Sequence, residues 1–353
     1  MDRNSPDFYI EETLTGCAEV ETFVRYILSQ STVGSNFVKY VDEKSSGGEI
    51  FSESGRRGGF AYSPDHVSQI LNGQKNADDT ILNKIDTPLV MPVITPRFVP
   101  TCTSTMMQFL GDISLKYGLP VQSHLSESVN EIEWVKSLHP AQESYAEVYE
   151  MHNLLHSRAY MAHCCHSSEH EIEVLKRSGA GVVHCANSNF MLSSGIMDVR
   201  RFVTEDIPVA LGTDVAGGYS PSILDAIRQT LIASQAKSFQ HKAVDDTVEG
   251  SSMTTGYKPL NYREAFHIAT MGGAKVLGMD KVVGNFRPGK KMDCLVVDVD
   301  APGSPIDIFD GEGVSEKFQK FLFNGDDRNI ETVIVDGKIV IENVKFVGLH
   351  SDC

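Results

Sequence analysis

From residue 89 to residue 214 the chain repeats one pattern: a short apolar run, a polar residue that ends it, then a stretch with helical periodicity. The runs LVMPVITPR, LPVQSHLSE, AYMAHC, AGVVHC and IPVALGTD carry Arg97, His124, His163, His184 and Asp214 at their ends. Successive ends are roughly 20–40 residues apart, the size of a strand–helix–strand unit. Strands separated by helices pair in parallel and are buried on both faces. Short apolar runs do not by themselves separate a closed barrel from an open doubly wound sheet. Three histidines and an aspartate at strand ends favour the barrel, which gathers those ends around one point.

Local signals punctuate the pattern. Thr103–Tyr117 reads as a helix closed by Gly118, Ser128–Leu138 as a second, and 144–156 as a third. Ser168-x-x-Glu171 is a capping box for a helix ending at Gly179, and 197–204 is helical. The segment ANSNFMLSSG after His184 reads as a loop. Ser220-Pro221 supplies an N-cap and first-turn proline for a helix with Ile223, Ile227 and Leu231 on one face. Residues 237–260 read as a polar loop, and Asn261-x-x-Glu264 opens a helix to about Leu277. Beyond Gly284, GNFRPGKKMDCLVVDVD predicts a turn and a buried strand. VIVDGKIVIE predicts a hairpin around Asp336-Gly337. The organisation expected is a loop and helix of the barrel at 1–31, a disordered Gly/Ser-rich insertion at 32–88, the barrel at 89–280, and a small β domain with the C-terminal segment at 281–345.

Composition narrows the function. A net charge of -16 argues against nucleic acid, which needs clustered Lys and Arg. Seven cysteines, an odd number without CxxC spacing, read as free thiols of a reducing compartment. No apolar run approaches the ~20 residues of a membrane span, and the polar, acidic start excludes a signal peptide. The expectation is a cytoplasmic protein that acts on a small molecule, without nucleic acid or membrane.

The chemistry concentrates in SHLSE, MAHC and GTD. Metal-assisted hydrolysis needs imidazole and carboxylate ligands with one position left for water. His124 and Asp214 are candidate ligands, and Glu127, one turn beyond His124, is a candidate proton shuttle. His163 either ligates the metal or holds the attacking water. Taken singly, Asp214 is a turn aspartate and each histidine a satisfied core residue; the combination at successive strand ends is what points to a site. His184 is read as structural, Ser126, Asn187 and Asn189 as loop hydrogen-bonders, and His166 and His170 as exposed.

The stretches TPRFVPTCT, QSHLSE, MAHCC, VVHCANSN, LGTDVAGGYSPSILDAIRQ and GNFRPGKKMDCLVVD resemble the guanine deaminase family of the amidohydrolase superfamily, in its fungal branch. The resemblance covers about 89–298 and the hairpin. It implies an α/β fold, an incomplete (β/α)8 TIM-like barrel of the metal-dependent hydrolase type with a small partial β domain. It implies hydrolytic deamination of guanine to xanthine and ammonia by zinc-activated hydroxide, one Zn2+ per chain, and a homodimer. His124 and Asp214 match metal ligands, and Asp214 also takes the proton from water. Glu127 matches the proton shuttle, and His163 the residue that positions hydroxide and substrate. Arg97 and Phe98 match the purine pocket, a guanidinium fork for the oxo edge and a ring for stacking. The family's HxH pair of ligands is absent from this sequence. The expectation is therefore a chain that begins after the third of eight strands, with little or no activity. The alternatives are an amidohydrolase for another amino-heterocycle and a non-catalytic remnant that binds a partner.

Overall fold

Four strands pair in parallel in sequence order: β1 (Val121–Leu125), β2 (Ala159–His163), β3 (Gly181–His184) and β4 (Val209–Leu211). The computed structural model of the chain describes residues 93–245 and 256–347. The expected helix within 1–31, the expected insertion at 32–88 and residues 89–92 lie outside the described residues. Of the first apolar run, Ile94 bridges Val121 in parallel, and a 3-10 turn follows at Val99–Thr101. Pro96 and Pro100 lack the backbone donor a longer ladder would need.

Val121, Leu125, Met161, Val182 and Val209 are buried, as parallel strands covered by helices require. The covering helices are α1 (Ser104–Tyr117), α2 (Val129–Leu138), α3 (Tyr145–Met151), α4 (Glu169–Ser178), α5 (Ala186–Met191), α6 (Val199–Thr204) and α7 (Ile223–Asp245). Four of the starts are fixed by side-chain caps of one kind. Thr103, Ser128, Ser144 and Ser168 each accept a hydrogen bond from the backbone N–H three residues on. Each such cap contributes about 1 kcal/mol.

Several boundaries differ from expectation, each for a visible reason. The third helix ends at Met151 rather than near 156, because His152 Nδ1 bonds Val148 O and Asn153 turns left-handed at φ 60°. The segment after His184 is helical, not a loop: Asn187, Ser188 and Asn189 are buried and their tertiary contacts override weak helix propensity. Ser222, not Ser220, caps α7 through Asp225 N. That helix runs on to Asp245 through part of the expected polar loop, and residues 246–255 lie outside the described residues.

Asn261 and Glu264 form the expected capping box of α8 (Tyr262–His267). The helix continues through a π turn at Ile268–Gly272 into α9 (Gly273–Val276). A second, antiparallel sheet follows: β5 (Cys294–Val297), β6 (Ile330–Val335), β7 (Lys338–Glu342) and β8 (Lys345–Phe346). Asp336 (φ 49°) and Gly337 (φ 74°) make the β6–β7 turn, the two positive φ values of a type I′ turn. The strand β5, expected to be buried, leaves Leu295 51% and Val296 43% exposed. Before β6 lies α10 (Val314–Asn324), a helix absent from the expected pattern. Arg228 of α7 donates to the carbonyls of Leu322 and Phe321, satisfying acceptors that a helix end leaves open. This ties the end of α10 to α7. Among the described residues no helix is long and apolar enough to cross a membrane.

Candidate active site

The strand register decides which side chains meet. Gln122 and His124 of β1 stand opposite Tyr160 and Ala162 of β2, and Ala162 stands opposite Val183 of β3. These residues share one face of the sheet, since side chains alternate along a strand. By the same alternation His163 belongs to the other face. It carries φ 73°, a left-handed conformation costly for a residue with a Cβ, and the strand geometry ends there. Its ring comes back over His124, with centroids 5.1 Å apart and planes 20° from parallel. Asp214, three residues beyond β4, also has positive φ, 46°.

One ligand atom from each of His124, His163 and Asp214 lies within 4.8 Å of the others. His163 Nε2 is 3.8 Å from Glu127 Oε2 and 3.9 Å from Asp214 Oδ2. The outer nitrogen of each ring is occupied. His124 Nδ1 bonds Arg97 O at 2.5 Å, and His163 Nδ1 bonds Asn189 Oδ1 at 2.8 Å. Both partners are acceptors, so each Nδ1 donates and each Nε2 keeps its lone pair, as a metal-binding imidazole does. Burial, followed by the neighbouring His163, holds the His124 pKa below its usual value and favours that neutral ring. This donor set fits a divalent ion.

The carboxylates are anchored too. Ser188 Oγ donates to Asp214 Oδ2 at 2.5 Å, and Ser194 Oγ donates to Glu127 Oε1 at 2.7 Å. Gly217 folds the following loop over Asp214: a Cβ there would stand 2.6 Å from Asp214 Oδ2 and 2.8 Å from Ser188 Oγ. Phe98 lies at the edge of the cluster, 6.5 Å from the His124 ring and 6.1 Å from Trp134. The exposed Arg97 sets its guanidinium carbon 5.9 Å from the Phe98 ring centre.

The structure thus brings His124, His163, Asp214 and Glu127 together, with Arg97 and Phe98 beside them. His184 stays apart. It pairs with Leu211 on the face opposite Val183, is buried, and neither ring nitrogen has a hydrogen-bond partner. Burial, with His163 nearby, pushes its pKa down to about 3. His166 is exposed, as expected, while the half-buried His170 pairs with Glu147 at 2.8 Å. Ser126 bonds both oxygens of the buried Glu171, and Asn187 bonds Asp225.

Sequence reasoning missed Ser188, Ser194 and Glu131. Glu131, in the first turn of α2, is buried, accepts from Tyr145 Oη at 2.9 Å, and is raised by burial to about 7. Its signal was a carboxylate at the third helical position after the Ser128 cap. For the serines, the run of small polar residues after His184 was the available signal.

Imidazoles and carboxylates gathered at the carboxyl ends of four parallel strands, with a donor group able to hold a metal ion, point to a class of protein: the (β/α)-barrel type. The sequence model of the Amidohydrolase family matches residues 46–340, and the chain belongs to that family. It is 42% identical over 299 residues to the guanine deaminase of Dictyostelium discoideum, covering 82% of this chain and 63% of that protein. It is 43% identical over 258 residues to the guanine deaminase of Mus musculus, covering 72% of this chain and 54% of that one. A crystal structure of guanine deaminase from C. acetobutylicum with guanine bound superposes with a TM-score of 0.63 at 36% identity. That match covers 78% of this chain and 59% of the other. The chain therefore spans a little over half the length of the relatives it matches.

Proposed function

We propose that these residues serve a zinc-dependent aminohydrolase that converts guanine and water to xanthine and ammonia. The observation that carries the reading is the convergence of His124, His163 and Asp214 within 4.8 Å, beside Glu127. Similarity to guanine deaminases supports the choice of substrate.

In this reading His124 Nε2 and Asp214 hold one zinc ion per chain. When bound, such an ion makes water nucleophilic near neutral pH. Asp214 takes a proton from the attacking water, and His163 orients that water and the substrate. Glu127 protonates the ring nitrogen beside the amino-bearing carbon. The new carbon–oxygen bond forms, Asp214 passes the proton taken from water to the amino group, the carbon–nitrogen bond breaks and ammonia leaves with its electron pair; the remaining hydroxyl proton passes to Glu127, restoring its acid form and leaving the oxo group of xanthine. Arg97 offers a planar donor fork to the purine oxo edge, and Phe98 an aromatic face. The five described cysteines are free thiols, in keeping with a cytoplasmic protein; a homodimer is the assembly proposed.

Ammonia release from guanine, with zinc-loaded protein in excess over substrate, detects even a single turnover. Release that disappears in Glu127→Gln supports the reading. No release from protein shown to hold zinc overturns it.

A further inference from the structure

The short helix α5 and the residues just after it face the site on three fronts. Asn189 Oδ1 is 2.8 Å from His163 Nδ1, Ser188 Oγ is 2.5 Å from Asp214 Oδ2, and Ser194 Oγ is 2.7 Å from Glu127 Oε1. Each of the three groups meets a different side chain of one seven-residue stretch. All three partners are buried: Ser188 0%, Asn189 1% and Ser194 9% exposed. The stretch is anchored from below by the Asn187–Asp225 bond to α7, at 2.9 Å. Its polar residues depress helix propensity, so the helix is there for its contacts rather than for its own stability.

We infer that Ser188, Asn189 and Ser194 act as one positioning unit, in which Asn189 sets the tautomer of His163 and the serines set the rotamers of the two carboxylates. A neutral imidazole has one N–H, and an acceptor at Nδ1 draws the proton there. Nε2 then faces Glu127 and Asp214 as a lone pair, able to receive a metal ion or a water proton. Each serine ties a carboxylate oxygen, Ser188 on the ligand Asp214 and Ser194 on the shuttle Glu127. The unit therefore holds the ligand carboxylate and the shuttle carboxylate through separate hydroxyls. This division rests on the reading of Asp214 as a ligand and Glu127 as a shuttle; the tautomer assignment needs neither.

Long-range proton–nitrogen NMR of the metal-free full chain reads the tautomer directly, with His163→Gln identifying the resonance. Wild type should show neutral His163 protonated at Nδ1. Asn189→Asp, which keeps an acceptor oxygen, should retain that form, and Asn189→Leu, of similar size without one, should lose it. Persistence of Nδ1–H as the sole form in Asn189→Leu overturns the inference, as does an Nε2–H ring in wild type.

Zinc affinity by chelator competition tests the division of tasks. Ser188→Ala should weaken binding about 10- to 100-fold, the range for lost partners of metal ligands. Ser194→Ala should leave it unchanged, with thermal melts confirming that both variants fold. Equal weakening in both variants contradicts the separation. Zinc binding to neither variant nor wild type refutes the metal reading while leaving the tautomer result standing.

Discussion

Ser194 donates its hydroxyl to Glu127 Oε1 at 2.7 Å across 67 residues of sequence, and Glu127 Oε2 faces His163 Nε2 at 3.8 Å. One carboxylate oxygen is anchored while the other is left toward the ring. A proton shuttle depends on such fixed placement, because small displacements slow transfer steeply. Ser194→Ala is expected to slow single-turnover ammonia release by about 10-fold or more with little change in guanine affinity. Ser194→Thr, which keeps the hydroxyl, should restore most of it. A rate equal to wild type in the alanine variant would show that the hydrogen bond does not serve the shuttle.

Glu131 carries a pH-dependent liability. Burial raises its carboxyl to about 7 from the ordinary 4.5, with Tyr145 opposing the rise and Glu127 adding to it. The folded state then binds a proton that the unfolded chain has released, so stability falls as pH rises from 4.5 to about 7. The full cost above that window is about 3 kcal/mol. Glu131→Gln should be more stable than wild type at alkaline pH and nearly equal to it below the window, as read by urea unfolding. An unchanged pH dependence would place the titration elsewhere.

His184 works with the opposite sign. Burial disfavours the imidazolium and pushes the folded ring down to about 3 from the ordinary 6.5. Between those values the unfolded ring binds a proton that the folded ring refuses, so acid lowers stability by up to ~5 kcal/mol. His184→Leu removes the titration and two unpartnered ring nitrogens together. Its stability relative to wild type should rise as pH falls through the window, measured by acid unfolding. Parallel pH curves for the two proteins would contradict this assignment.

Arg97 serves two purposes through different atoms. Its carbonyl receives His124 Nδ1, whereas its guanidinium projects beside Phe98. Arg97→Ala keeps the carbonyl and removes the fork. It should retain zinc while guanine affinity falls at least about 10-fold, the effect of one lost charge-assisted pair. Loss of zinc in this variant would mean that the side chain, rather than the backbone, supports the metal site.

The helix starts were legible because caps are local: Ser128, Ser144, Ser168 and Asn261 each signal an N-terminus through their own side chain. The strand ends were legible for the same reason, since an apolar run stops where the chain leaves the core. The helix at Ala186–Met191 was not, because small polar residues become helical there only when buried. Nor could strand alternation place His163, whose side is decided by a positive φ that no residue-level pattern encodes. Ser188 and Ser194 showed only as members of a small polar run, because their partners lie 26 and 67 residues away.

In the proposed site His124 and Asp214 hold a metal ion at the strand ends. Elemental analysis of gently purified protein, beside His124→Ala and Asp214→Ala variants that remain folded, tests it most directly. About one zinc per wild-type chain and near-complete loss in each variant are expected. Wild type without zinc, or variants that keep it, would contradict the claim.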